Sequence, residues 1–262
     1  MKERALVKIG GSLAEDTAAL KQLAAVLARY HQSGARLVLV HGGGKEINRN
    51  LELLSEKPRF EQGLRVTDAP AMKMVEMTLS GYVNKWLVRM LLNEGCRAIG
   101  VSGVDAGLMK AEKRRGTPDL GLVGKIVDTD PSLINHLWSG GYLPIVSPIS
   151  LGEEYSVLNI NADEAASALA AALQVDRLLF VSDVPGVLND GKVIPKLNRE
   201  AVDQLEQEGV ITGGMIPKTR GCLESLDAGI KEVHICGWSG AKEFEEQLTG
   251  QANRGTIFKK NP

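Results

Sequence analysis

Aromatic side chains make up only 4% of this 262-residue sequence, and no long basic run accompanies them. Nucleic-acid surfaces combine stacking rings with clustered cations, so the composition argues against one. Acids and bases nearly balance, 32 against 31, for a net charge of −1. The densest basic spot, EKRR at 112–115, reads as a solvated hairpin tip rather than a phosphate site. Only three cysteines occur, Cys96, Cys222 and Cys236, and none forms a CxxC pair. That argues against a disulfide framework or structural zinc and fits a reducing cytosol. No stretch reaches the roughly 18 apolar residues of a membrane span. MKERALVKIGG enters a strand without a signal-like apolar region, so a cytoplasmic protein is expected. The four histidines, 31, 41, 136 and 234, show no HExxH spacing, which excludes that class of metalloprotease.

What is present is alternation. Apolar runs of strand length at 4–10, at RLVLVHGGG, at CRAIGVSG, at YLPIVSPI, at RLLFVSDVPGVL and at KEVHICGWSG alternate with helical stripes. Helices are expected over 16–33, 45–55, 70–94, from Ala162, over 198–208, after Gly214 and over 240–249. Residues 108–128 alternate polar and apolar around GTPDLG, which suggests a hairpin. Such alternation implies a mainly parallel sheet covered on both faces, with ligands at the carboxyl ends of the strands. Gly10-Gly11, Gly42–Gly44 and Asp183 fall at such ends. A soft boundary near residue 175 divides a 1–175 lobe from a 176–262 lobe.

Three familiar motifs nearly match and fail. A dinucleotide GxGxxG starting at Gly42 needs glycine at 47, where Ile47 stands. HGGG occurs in esterase oxyanion holes, but GVSGV around Ser102 and GWSGA around Ser239 lack the final glycine of a nucleophile elbow. No histidine follows Ser239. GVLNDGKV, 186–193, nearly spells a P-loop, yet Val193 replaces the magnesium-binding hydroxyl and IPKL does not open a helix. It reads as a turn between short strands, with glycines that could still line a nucleotide.

A constellation remains. Lys8 sits between Val7 and Ile9 in a central-looking strand, where a lysine needs an anionic partner; a strand-edge lysine is the plainer reading. Gly10, Gly11 and Ser12 form an anion-binding turn, and Gly42–Gly44 a second. Arg65 in GLRVT competes with a surface arginine. In LNINADEAA, Asn159 and Asn161 fall on one side of a strand, and Asp163 competes with a helix N-cap. Lys218 lies just inside a helix, opposing its dipole by about 0.3–1 kcal/mol, which hints at function.

Together VKIGGS, VHGGGKEI, GLRVT, NINADEAA, FVSDVPGVL and ITGGMIPK resemble the ordered motifs of the amino acid kinase family, over essentially the whole chain. The resemblance implies an open αβα sandwich, an N-terminal lobe for an acyl amino acid and a C-terminal lobe for ATP. It implies ATP-dependent phosphorylation of the side-chain carboxylate of N-acetyl-L-glutamate, toward arginine synthesis. A carboxylate is already a nucleophile, so the site needs charge neutralisation and alignment rather than a base. Lys8 and Lys218 would grip the phosphoryl group, Asp163 would hold both, and the Gly11 and Gly44 amides would bind its oxygens. Arg65 would take the α-carboxylate, with Asn159, Asn161, Gly43 and Gly44 on the rest of the substrate. Gly10 and Ser12, then Ser182, Asp183, Val184, Gly186, Val187 and Leu188, would border the nucleotide. Val210, Ile211, Thr212, Gly214, Met215 and Lys218 would complete its site. Magnesium would be held by phosphates and water, with no protein ligand. Two alternatives stay open: a sister kinase for carrier-linked aminoadipate or glutamate, and a non-catalytic sensor of the same fold. Lys8 comes too early for the extra N-terminal helix of arginine-inhibited relatives, so a homodimer is expected. The 70–94 helix, with Met72, Val75, Met77 and Leu79, offers either a dimer face or core packing.

Overall fold

A computed structural model describes residues 2–10, 13, 16–61 and 63–260. The chain opens with β1 (Arg4–Ile9), α1 (Thr17–Gln32), β2 (Arg36–His41), α2 (Gly44–Leu53), β3 (Phe60–Glu61) and β4 (Leu64–Arg65). A broken helix follows: α3 (Ala69–Glu76), a π-helical stretch (Met77–Val83) and α4 (Asn84–Asn93). Then come β5 (Ala98–Ser102), β6 (Met109–Lys113), β7 (Gly124–Thr129), α5 (Ser132–Ser139), β8 (Leu143–Ser147), β9 (Ile149–Leu151) and β10 (Val157–Asn159). The last part holds α6 (Ala162–Leu173), β11 (Arg177–Ser182), β12 (Leu188–Asn189), β13 (Lys192–Val193), β14 (Lys196–Leu197) and α7 (Arg199–Gln207). It ends with α8 (Met215–Asp227), β15 (Glu232–Gly237), α9 (Ala241–Thr249) and β16 (Thr256–Phe258).

Eight strands form one sheet in the order β14-β16-β15-β11-β1-β2-β8-β5. All its pairings are parallel except β15 with β16. A second, four-stranded sheet, β10-β9-β6-β7, carries the expected 108–128 hairpin as β6 and β7. From β1 the chain places β2 on one side and β11 on the other, which makes the β1/β11 boundary the switch point. In open α/β sheets that is where a crevice opens above the strand ends.

Alternation along β1 decides where its one charge points. Ala5, Val7 and Ile9 enter the core shared with Leu20, Leu23 and Leu27 of α1 and with Phe244 of α9. Leu6 enters the opposite core, with Ala165, Ala166 and Leu169 of α6 and Leu223 of α8. With a period of two, Lys8 shares the face of Leu6 and looks toward α6. Ala165, Ala166 and Ala170 of α6 are fully buried, and their small side chains let the helix lie close on β1 and β2.

The expected continuous 70–94 helix is interrupted. Its buried stripe at Val75, Leu79, Val83, Leu87 and Leu91 steps by four residues. An α-helix has 3.6 residues per turn, so such a stripe rotates steadily away from the core. The π-helical stretch takes up the mismatch, and the Asn84 amide bonds back to the Leu79 carbonyl, five residues earlier. Met72, Val75 and Leu79 are core residues, which settles the open choice for them; Met77 alone of the four is exposed, at 57%. EKRR also departs from expectation. Glu112, Lys113 and Arg115 are exposed, but the Arg114 guanidinium donates to Glu164 Oε2 at 2.5 Å and to the Gly124 carbonyl. Glu164 also accepts from the Ile126 amide, so α6 and the β6–β7 hairpin are bound together beside Asp163. GVLNDGKV forms the β12–β13 hairpin, the turn between short strands expected of it. Among the described residues no helix is long and apolar enough to cross a membrane.

Close packing of α6 has a measurable consequence. Ala166→Leu adds volume where there is no accessible surface, and is expected to destabilise the fold by about 1–3 kcal/mol. A thermal unfolding midpoint equal to that of the unmodified protein would show that α6 is not tightly seated.

Candidate active site

Three charged side chains from distant parts of the chain meet above the switch point. Lys8 is the last residue but one of β1, Asp163 is in the first turn of α6, and Lys218 is in the first turn of α8. Lys8 Nζ lies 2.8 Å from Asp163 Oδ1, and Lys218 Nζ lies 3.7 Å from Asp163 Oδ2. Lys218 also donates to Ser182 Oγ at 3.3 Å, at the end of β11. Burial alone would raise the Asp163 pKa, but the ammonium groups of Lys8 and Lys218 outweigh it and hold the carboxyl below its usual range. The helix-cap reading of Asp163 is ruled out by its neighbour. Asn161 is the N-cap, its Oδ1 accepting from the Asp163 and Glu164 amides at 2.8 and 3.4 Å. That leaves the Asp163 carboxylate to the lysines, and ties up the oxygen of Asn161.

Glycines make room for this arrangement. A Cβ at Gly10 would collide with the Lys8 ammonium group. At Gly43 a Cβ would stand 2.7 Å from Leu79 Cδ2 and 3.3 Å from Val83 Cγ2. The glycine turn therefore lies directly on the π-helical stretch, and α2 begins at Gly44. Gly11 and Ser12 lie outside the described residues.

A cavity of about 360 Å³ opens beside the turn, lined by Lys8, Gly10, Gly42–Gly44, Asn48, Phe60, Tyr82, Val83 and Trp86, among others. Arg65 packs against three of these lining residues, Gly44, Asn48 and Phe60, and is no surface residue, with 7% of its surface exposed. Its Nη2 donates to the Gly44 carbonyl at 2.9 Å and to Asn48 Oδ1 at 2.6 Å, and the guanidinium stacks over Phe60 at 4.7 Å. Arg65 Nη1 is buried with no hydrogen-bond partner. A buried, unpaired guanidinium donor is costly unless an anion takes it. Asn159 approaches from β10, its amide donating to Thr67 Oγ1 at 3.1 Å; Thr67 Oγ1 in turn donates to the Arg65 carbonyl at 2.8 Å. Thr67, wholly buried, thus couples Arg65 to Asn159.

The residues expected around a nucleotide are spread more widely. Ser182 and Asp183 line a second cleft of about 340 Å³ with Pro185, Trp238 and Arg254. Val184 is half-buried, and Gly186 presses on Thr256. Val187 and Ile211 are core residues, each 1% exposed, so their side chains do not face a cleft. Leu188 is exposed in the β12–β13 hairpin. Val210 and Met215 are half-buried, while Thr212 and Gly214 are exposed at the entrance to α8. Sequence reasoning missed Asn48, Thr67, Phe60, Tyr82 and Trp86. Asn48 was legible in principle: it stands four residues after Gly44, on the same helical face. Thr67 and the aromatic residues carry no comparable local signal.

Known proteins resemble this chain over most of its length. An acetylglutamate kinase from Geobacillus thermodenitrificans is 40% identical over 260 residues, covering 99% of this chain and 98% of that relative. One from Campylobacter fetus is 43% identical over 231 residues, covering 88% and 82%. The crystal structure of smu.665 from Streptococcus mutans superposes with a TM-score of 0.83 at 28% identity and covers both chains completely. Residues 3–237 match the sequence profile of the amino acid kinase family, and the chain belongs to that family.

Proposed function

We propose that this protein transfers the γ-phosphoryl group of ATP to the side-chain carboxylate of N-acetyl-L-glutamate, giving an acyl phosphate for arginine synthesis. The name shared by its relatives supports this reading. The observation that carries it is the pair of ammonium groups held on Asp163, set beside a glycine turn and a buried arginine with a free donor.

The roles follow from charge. Lys8 and Lys218 neutralise the migrating phosphoryl group, and Asp163 fixes their positions without acting as a base. The Gly44 amide, with that of Gly11, stabilises the equatorial oxygens. Arg65 binds the α-carboxylate through Nη1, a pairing suited to the planar guanidinium. Gly43 and Asn159 orient the acylated nitrogen and its carbonyl; Asn161 contributes only through its amide nitrogen, since its oxygen caps α6. Residues 1–175 would form the substrate lobe and 176–262 the ATP lobe, with the segments at 182–188 and 210–215 flanking the nucleotide. Among the described residues no group of three or more His, Cys, Asp or Glu side chains is placed to hold a metal. A magnesium ion would then be held by phosphate oxygens and water, supplying further charge neutralisation. A cytoplasmic homodimer fits the exposed Met77 and Leu92 on the outer side of the broken helix.

Lys8→Ala and Lys218→Ala are each expected to lower kcat by about 10²–10³-fold with little change in KM. Near-normal turnover in both, in a coupled ADP-release assay, would refute the two-lysine clamp. Arg65→Ala should mainly raise the KM for N-acetylglutamate. The same assay run with glutamate, aspartate, carbamate and UMP checks the acceptor, and faster turnover of any of these would reassign the substrate. Sedimentation should give a dimer that Met77→Glu with Leu92→Glu dissociates; a monomeric parent would remove that assignment.

A further inference from the structure

Behind the glycine turn lies a buried polar chain to which no role has yet been assigned. His41 ends β2 immediately before Gly42 and is 1% exposed. Its Nδ1 lies 2.8 Å from the Gly42 carbonyl oxygen, which can only accept. Nδ1 therefore carries the proton, and Nε2 is left to accept. The Asn84 amide stands 3.2 Å from Nε2 and is oriented to donate there. The orientation of Asn84 is set on both sides. Its Nδ2 also lies 3.0 Å from the Ile145 carbonyl and 3.3 Å from that of Val101, so its two hydrogens serve three acceptors and one is shared, while its Oδ1 accepts from Lys85 Nζ at 3.1 Å. Lys85 in turn donates to the Gly100 carbonyl at 2.9 Å. Asn84 is wholly buried, and a side chain at Gly100 would collide with it. Burial pushes the imidazole of His41 down to about 4, helped by the nearby Lys85 ammonium, so the ring is neutral and keeps this tautomer at neutral pH.

The origin of Asn84 matters as much as its partners. It follows directly on the π-helical stretch, whose Leu79 and Val83 pack against Gly43. Other polar side chains of that stretch are anchored too. Thr78 accepts from Asn50 of α2 at 2.9 Å, and Ser80 meets Ser147 of β8 at 2.7 Å. One irregular segment thus touches the glycine turn, the helix it opens and the strand next to it. π-helical stretches are rare and recur at functional sites, where they aim particular side chains.

We propose that Asn84, acting through His41, is a positioning residue that sets the Gly42–Gly44 turn, whose first amide is held by the Ile9 carbonyl at 2.9 Å, and with it the direction of the Gly43 and Gly44 amides. The catalytic consequence rests on the phosphotransfer reading above; the geometric one does not. A backbone donor that is aligned before the reaction acts on kcat rather than on ground-state binding.

The test uses the full chain with His41→Gln, Asn84→Ala and the double variant. Asn84→Asp, which keeps the volume, replaces Asn84→Ala if that variant does not fold. Heteronuclear NMR of the unmodified protein should show His41 as the Nδ1–H tautomer. In either single variant the amide resonances of Gly42, Gly43 and Gly44 should shift. The kcat should fall by about tenfold or more, with the KM for ATP within about twofold. The double variant should lose no more than the worse single one, because both act through one chain of hydrogen bonds. Unshifted glycine amides in a folded variant would overturn the proposal, as would losses that multiply in the double variant. An unmodified protein that phosphorylates no acyl amino acid would refute the function reading, while the glycine resonances would still decide this one.

Discussion

One carboxylate between two ammonium groups organises the upper side of this molecule. Asp163 draws Lys8 from β1 and Lys218 from α8 toward one point. Two partly buried cations near each other repel, and the low-dielectric surroundings make that repulsion larger than in water. A single carboxylate offsets only part of their charge. The site thus keeps a net positive potential aimed at the space above β1 and β11, a natural receptor for a multiply charged phosphate. The sheet order serves this arrangement, because β1 and β11 are neighbours, so that Lys8 near the end of one and Ser182, the Lys218 partner, at the end of the other lie close together.

Much of this was readable in the chain. Lys8 stood out because a charge between Val7 and Ile9 in a central strand has to be explained, and Lys218 because a lysine in the first turn of a helix opposes its dipole; Asp163 read as a helix cap, and its role came from the family resemblance. The parallel sheet followed from alternating strand and helix patterns. What was not legible depended on distant packing. Asn161, rather than Asp163, caps α6, and only the three-dimensional path of the turn distinguishes the two. Arg65 read most simply as a surface residue; its burial comes from Phe60, Asn48 and Gly44, which sequence distance hides. The break in the 70–94 helix was present as a four-residue spacing of apolar positions. That spacing is close enough to a helical repeat to pass for one over a few turns. Arg114 looked like part of a solvated basic cluster because its partner, Glu164, lies fifty residues away.

The site divides into parts of differing stiffness. Behind the glycine turn Asn84, His41, Thr78 and Ser80 are each tied to a neighbour by a hydrogen bond. At the entrance to α8, Gly213 and Gly214 have open space around them, and Gly213 adopts a left-handed conformation. Backbone with few packing partners opens at low free energy, whereas a satisfied buried network resists. With the proposed placement of acceptor and donor, the firm side would align one partner and the more yielding side would let the other leave.

The placement of β1 in the middle of the sheet has a consequence for synthesis. Its neighbours are β2, made soon after it, and β11, made after two thirds of the chain. Until residues 177–182 leave the ribosome, β1 presents an unpaired edge that can join another nascent chain. Asp163 is made just before β11, but Lys218 only after it, so the charged centre is completed later than the pairing of β1. A chain cut short before α8 could build most of its sheet and still have no working centre.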